Sequence, residues 1–129
     1  MALGLYNTLQ KLILESASRS QVEDAIEKKQ RIRIFYRGED GDISGYRNIE
    51  PYVLGLSTAG NPIVRAWQIN GVTDTEAPMW KTFRLDKITD WRPFPNYFFE
   101  PISDRDRSVP QYRQNGDDSM TTIYKQAQF

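Results

Sequence analysis

The chain has no histidine and no cysteine among its 129 residues, and those two absences remove much of the side-chain chemistry on which enzymes depend. Without imidazole there is no general base poised near neutrality, no Ser-His or Cys-His nucleophile pair, and no zinc site of thiolate or imidazole. No disulfide framework can form, so nothing in the sequence points to an oxidising compartment. Net charge is missing too. Seventeen lysines and arginines balance seventeen aspartates and glutamates, which argues against coating nucleic acid by bulk electrostatics. Finally, no apolar run is long enough to cross a bilayer and no signal peptide opens the chain. With a mean hydropathy of −0.65 and 26% charged residues, the expectation is one soluble, cytosolic (cytoplasmic) domain that needs no membrane.

Carboxylate-only metal or acid–base chemistry survives these exclusions, and its candidates have simpler explanations. Glu39, Asp40 and Asp42 lie in Gly38-Glu-Asp-Gly-Asp42, the composition of a hairpin turn. Asp104 and Asp106 alternate with Arg105 and Arg107 in a proline-flanked stretch that reads as a solvated linker. A protein that is not an enzyme and carries neither metal nor cofactor is the expectation.

The densest information lies between Gly60 and Trp91. Pro62 to Asn70 alternates so that Ile63, Arg65, Trp67 and Ile69 share one face, with Val64, Ala66 and Gln68 on the other. An arginine on an apolar face must be paired with a carboxylate, exposed at a rim, or waiting for an anion. Five strands are predicted, over 31–37, 44–56, 62–70, 80–86 and 87–92. Turn chemistry separates them at Gly38–Asp42, Ala59–Asn61 and Asn70-Gly71, with a longer loop through Asp74 to Pro78. Such short antiparallel strands suit a small closed barrel, which leaves no edge exposed. On the first strand, Arg31, Arg33, Phe35 and Arg37 fall opposite Ile32, Ile34 and Tyr36. That face is either a secondary surface for phosphates and a stacked base or a solvated outer face. Residues 28–92 hold eleven cations against eight anions, so the excess positive charge sits on the predicted barrel.

Three segments carry a family resemblance. Lys81-Thr-Phe-Arg-Leu-Asp-Lys-Ile88 resembles the R-x-F-R-L-D-R-I signature of the WYL domain, with lysine at two arginine positions. Arg47-Asn-Ile-Glu-Pro51 resembles its R-x-V-x-P element, and Ile32-Arg-Ile-Phe-Tyr36 its I-x-I-x-Y strand. The tripeptide that names the family is replaced by Pro62-Ile63-Val64. The resemblance implies a mainly β, α+β fold, a five-stranded antiparallel Sm-like or SH3-like barrel. It also implies a sensor that binds nucleic acid or a nucleotide-like effector. The site carried over from it comprises Tyr36, Arg47, Lys81, Arg84 and Lys87, to which the strand position of Arg65 adds a sixth residue. Each has a structural alternative: Tyr36 as core, Arg84 paired with Asp86 or Asp90, Lys87 as exposed surface.

Around this centre the chain divides into an N-terminal helical segment (1–29), the WYL-like domain (30–93) and an extended tail (94–129). Leu5, Leu9, Leu12 and Ile13 predict a helix over Thr8 to Ala17, and Ser20-Gln-Val-Glu23 fits a capping box for a second. In the tail, Phe94, Tyr97, Phe98, Phe99 and Ile102 are too apolar to float freely, and Met120–Tyr124 has the content of a terminal strand. Two functions fit. One is a standalone regulatory module, reminiscent of a phage accessory protein modulating a host system, whose partner is a nucleotide or short single-stranded nucleic acid. The other is a structural or adaptor protein forming homo-oligomers or protein contacts through residues 94–129.

Overall fold

Thirteen consecutive residues, Gly45–Ser57, form the longest strand, and the rest of the fold is arranged along its two edges. The computed structural model describes residues 17–38, 43–72, 79–100, 112–113 and 115–128. Within them the order is α1 (Arg19–Lys28), β1 (Gln30–Tyr36), β2 (Gly45–Ser57), β3 (Pro62–Gly71) and β4 (Met79–Arg84). A 3₁₀ turn (Leu85–Lys87) then leads to β5 (Ile88–Phe98), β6 (Tyr112–Arg113), β7 (Gly116–Asp117) and β8 (Met120–Gln126). The main sheet runs β4-β3-β2-β1-β5, antiparallel throughout, with β8 added to β2 and β6–β7 forming a separate ribbon.

One edge of β2 serves two partners because its sequence changes character at Pro51. The first half pairs with β1, from Gly45 opposite Tyr36 to Ile49 opposite Ile32. The second half, Val53 to Ser57, pairs with β8. Pro51 has no N–H to give, and it falls between the two partners, where the register against β3 also shifts. Ile49 through Gly55 are buried without a break, on a strand that α1 also contacts. At the other end Gly71 closes β3 with φ 106°, and a Cβ there would lie 2.5 Å from the Tyr46 carbonyl oxygen. Only glycine lets β3 approach β2 so closely beside Arg47. It therefore ends a strand here, where a turn at Asn70-Gly71 is expected.

The sheet corrects the expected fold class. A closed five-stranded barrel, Sm-like or SH3-like, requires its end strands to pair, but β4 and β5 end an open sheet with no ladder between them. Residues 85–87, which alternation assigns to two successive strands, form the 3₁₀ turn. That three-residue corner ends β4 at Arg84 and sends β5 across to β1, where Trp91, Arg92 and Pro93 pair with Ile34, Arg33 and Ile32. A two-residue hairpin would have laid β5 beside β4, and this corner does not.

The helix begins two residues earlier than the Ser20–Glu23 pattern predicts. Ser18 is the cap: its Oγ accepts the Gln21 N–H at 3.2 Å, and Gln21 Oε1 accepts the Ser18 N–H at 2.9 Å. The Ala17 N–H bonds to the Ile88 carbonyl at 3.0 Å, which anchors the incoming chain to β5 and fixes where the first turn starts. Among the described residues α1 is the one α-helix. The helix expected over Thr8 to Ala17 lies outside them except for Ala17, as do residues 39–42, 74–78 and the Asp104–Arg107 stretch.

Val22 and Ile26 of α1, Ile32 and Ile34 of β1, and Val53, Leu54, Val64, Ala66, Phe83 and Ile88 are all at most 1% exposed. Each of these side chains larger than alanine contributes roughly 1.5–3 kcal/mol by leaving water. Tyr52 meets Trp80 edge-on and Phe99 at a tilt, with both centroids 4.9 Å away, so the residue after β5 closes the core. Trp67 and Trp91 pack against the same core, partly buried. The expected terminal strand forms as β8 and pairs within the chain.

Candidate functional site

Four elements bring part of the expected site together where the end of β1 meets the turn after β4. Tyr36, the last residue of β1, is buried, and its hydroxyl accepts the backbone N–H of Arg84 at 3.1 Å. Arg47 lies opposite Ile34 on the core side of β2 and is 1% exposed. Its guanidinium carbon sits 5.1 Å from the Tyr36 ring centroid and 5.5 Å from that of Phe83, and Nη2 donates to the Ile43 carbonyl. Phe83 meets Tyr36 edge-on at 4.9 Å. Ring quadrupoles and a carbonyl thus replace part of the water that a buried cation has lost.

In front of this box the cations reach solvent. Arg84 grips both oxygens of Asp86, Nε at 3.0 Å and Nη2 at 2.6 Å, with its side chain 37% exposed and that of Asp86 58%. Arg37 donates through Nη2 to the Asp86 carbonyl at 3.2 Å, while its own N–H bonds to the Lys87 carbonyl at 2.9 Å. Lys87 is half-buried on the same turn. Arg37, Arg84 and Lys87 therefore form one basic corner at Asp86, with Tyr36 and Arg47 behind it.

Two expected members lie elsewhere. Lys81 is opposite Ala66, three residues or about 10 Å along β4 from Arg84. Arg65 is 6% exposed, with Nε 2.9 Å from Asp117 Oδ2 and Nη2 3.0 Å from Ser119 Oγ. The Asp117 side chain has no exposed surface, and its Oδ1 also accepts the Ser119 N–H at 2.9 Å. Of the three situations open to an arginine on an apolar face, Arg65 is in the first, paired with a carboxylate.

Arg31, Arg33 and Phe35 do share the outer face of β1, opposite the buried Ile32, Ile34 and Tyr36, whereas Arg37 lies past the strand's end and turns to Asp86. Arg31 is engaged by Glu50 at 2.9 Å and lies 3.8 Å from the Tyr97 ring centroid. Burial lifts the Glu50 carboxyl above the usual carboxylate range, with the Arg31 hydrogen bond opposing that rise. Arg33 lies 4.2 Å over the ring of Tyr46, which Phe35 meets edge-on at 5.0 Å.

The motifs do not point to Tyr46, Phe83 or Asp117 as site neighbours, whereas Asp86 is one of the two partners expected for Arg84 and is the one it takes. Tyr46 could have been found: it alternates with Arg47 and faces Phe35 once the hairpin register is set. Asp117 offered no such signal, standing 52 residues from its partner.

The sequence profile of the WYL domain matches residues 19–93, more than half of the chain, and the chain belongs to the WYL domain family. The match runs from the start of α1 to Pro93 in β5 and contains the whole basic corner, while β6, β7 and β8 lie outside it. WYL domains are non-catalytic regulatory modules, and membership suggests a ligand-sensing role. No curated protein and no solved structure matches the chain. Among the described residues no cluster of three or more acidic side chains could hold a metal ion, and no helix is long and apolar enough to cross a membrane.

Proposed function

We propose that this WYL domain senses an anionic nucleotide or short single-stranded nucleic acid at the basic corner, and acts by binding alone. Convergence carries the reading: Arg37 after β1, Arg47 of β2, and Arg84 with Lys87 at the turn after β4 come from three parts of the chain to one place. Arg47 is too deep to meet a phosphate, so its part is to raise the local positive potential behind Arg84 and Lys87. The fork of Arg84 already holds Asp86, so an incoming phosphate exchanges one anion for another. Both partners are exposed, and such a surface pair is worth only about 0–1 kcal/mol. Asp86 is therefore a placeholder that a doubly charged phosphate displaces, and the freed turn is a signal the rest of the protein can register. Lys81 supplies a further cation along β4 for a longer ligand, whereas Arg65 supports the fold.

Calorimetric titration with nucleoside mono- and diphosphates at low salt tests this. Arg84→Ala should weaken binding about tenfold to a hundredfold, and Asp86→Ala should tighten it by removing the competitor. If the wild type binds none of these ligands, or the Arg84→Ala/Lys87→Ala double variant binds as well as the wild type, the corner has a purely structural role. The adaptor reading then takes over. It draws on Tyr97 and Phe98, which are 51% and 54% exposed at the end of β5, and native mass at rising concentration measures it.

A further inference from the structure

The outer face of the sheet carries a second arrangement, away from the corner. Reading across four strands, Arg92 of β5, Arg33 of β1, Asn48 of β2 and Asn70 of β3 stand at directly opposed register positions. In the neighbouring row Asp90, Phe35 and Tyr46 do the same. Tyr46 is 43% exposed, a large fraction for an aromatic ring on a sheet face. The guanidinium of Arg33 covers it at 4.2 Å, and the edge of Phe35 supports it from the side.

Two features of this face ask for an anion with planar groups. Arg33 and Arg92 face each other across a strand pair, where like charges repel. Asp90 holds Arg92 at 2.9 Å, and among the described residues no carboxylate lies within ion-pair reach of Arg33. Beside them the Asn48 and Asn70 amides bond to each other at 2.6 Å, leaving a carbonyl oxygen on one and an amino group on the other for further partners. The face thus offers a cation for phosphate, a ring for stacking and amides for base edges, side by side.

We propose that the outer face of β1 and β2 binds short single-stranded nucleic acid, with Tyr46 as the stacking platform and Arg33 as the phosphate contact. This deepens the functional reading above, on which it rests for the ligand class, by choosing an oligomer over a mononucleotide. A sheet face of four strands with stacking aromatics accommodates roughly two or three bases. An acidic peptide would satisfy Arg33 but would bring no planar group to the exposed part of the Tyr46 ring.

The test is fluorescence anisotropy of a labelled thymidine oligomer of about ten nucleotides with the full chain at low salt. Tyr46→Ala should weaken binding about tenfold, and Tyr46→Phe should keep it, because stacking needs the ring and not the hydroxyl. Arg33→Ala should weaken binding and lower the slope of log affinity against log salt by about one. Both side chains lie on the outer face, so circular dichroism should match the wild type. Nucleoside diphosphate binding by the same variants should be unchanged. If Tyr46→Ala and Arg33→Ala bind the oligomer as the wild type does while Arg84→Ala still loses the diphosphate, the outer-face proposal falls and the corner reading stands. The opposite pattern, loss with the outer-face variants and none with Arg84→Ala, supports the outer face and removes the corner. Equal competition by a polyglutamate peptide overturns base stacking.

Discussion

The Arg65–Asp117 pair allows the sharpest test of how this chain uses its cations. Asp117→Ala removes the carboxylate from a guanidinium that is only 6% exposed and leaves Ser119 Oγ as the remaining side-chain acceptor among its described bonds. Stripping one partner from a buried pair costs about 3–5 kcal/mol, because the survivor keeps its desolvation and loses its counter-charge. That is a large part of the roughly 5–15 kcal/mol a small domain holds in total. For 129 residues, an unfolding entropy near 2.1 cal/mol/K per residue turns the loss into a fall in Tm of about 11–18 °C. Equilibrium unfolding in urea, followed by tryptophan fluorescence, should show the midpoint moving with the slope m unchanged. The double variant Arg65→Met/Asp117→Leu should recover most of the loss, since an apolar pair of similar volume replaces a buried ion pair at little or no cost. A cost below about 1 kcal/mol for Asp117→Ala would refute the reasoning, as would a double variant no more stable than the single. The guanidinium would then have to be reaching water or another anion, and Arg65 would return to the ligand site.

The residues that could be placed from sequence are those whose environment is set by near neighbours. Period-two alternation places Ile32 and Ile34 inside because β1 has one face on the core, and it places Val64 and Ala66 inside on a strand whose other face, at Ile63 and Arg65, is buried as well. The same rule failed at Leu85–Lys87, where a 3₁₀ corner has the composition of a strand and only its hydrogen bonds tell them apart. The expectation of barrel closure fails for a related reason. Alternation specifies which face of a strand is buried, and it is silent on whether the first and last strands meet. In the site, Tyr36, Arg47, Arg84 and Lys87 could be named from motif positions, and the structure brings them to one corner. Arg65 stands out on its strand as a cation on an apolar face, but its partner is 52 residues away. Asp117 lies in a segment outside the family match, and no local pattern connects it to β3.

Three further outcomes follow from the same geometry. Ser18→Ala removes the side-chain half of the capping box and should cost about 1 kcal/mol, read as a lowered urea midpoint; an unchanged midpoint would mean that the bond from Ala17 to Ile88 fixes the helix start unaided. Glu50 supplies a pH signature. Folding raises its pKa, mainly by burial, so the folded state holds this proton more tightly than the unfolded chain does. Its contribution to stability is full below the ordinary carboxylate range and is lost as pH rises towards the raised value. Glu50→Gln should abolish that change, so the stability difference between wild type and variant should vary with pH in that window and be flat on either side; a difference that stays flat throughout removes the argument. Gly55→Ala tests how β8 is seated. A Cβ at position 55 would lie 2.2 Å from the Thr122 carbonyl oxygen and 2.7 Å from Met120 Sδ. The thioether can swing aside, but the carbonyl belongs to the backbone of the strand that pairs with β2. The added methyl must therefore push β8 off its ladder or bend both strands, at about 1–3 kcal/mol for overpacking. Hydrogen exchange separates the two responses. If β8 lifts, protection falls across residues 120–126 and persists at Ile32 to Tyr36, whose partners are β2 before Pro51 and β5. Loss of protection in both places would mean that the strain spreads through β2, and unchanged protection in both would show that β8 does not lie against Gly55 at all.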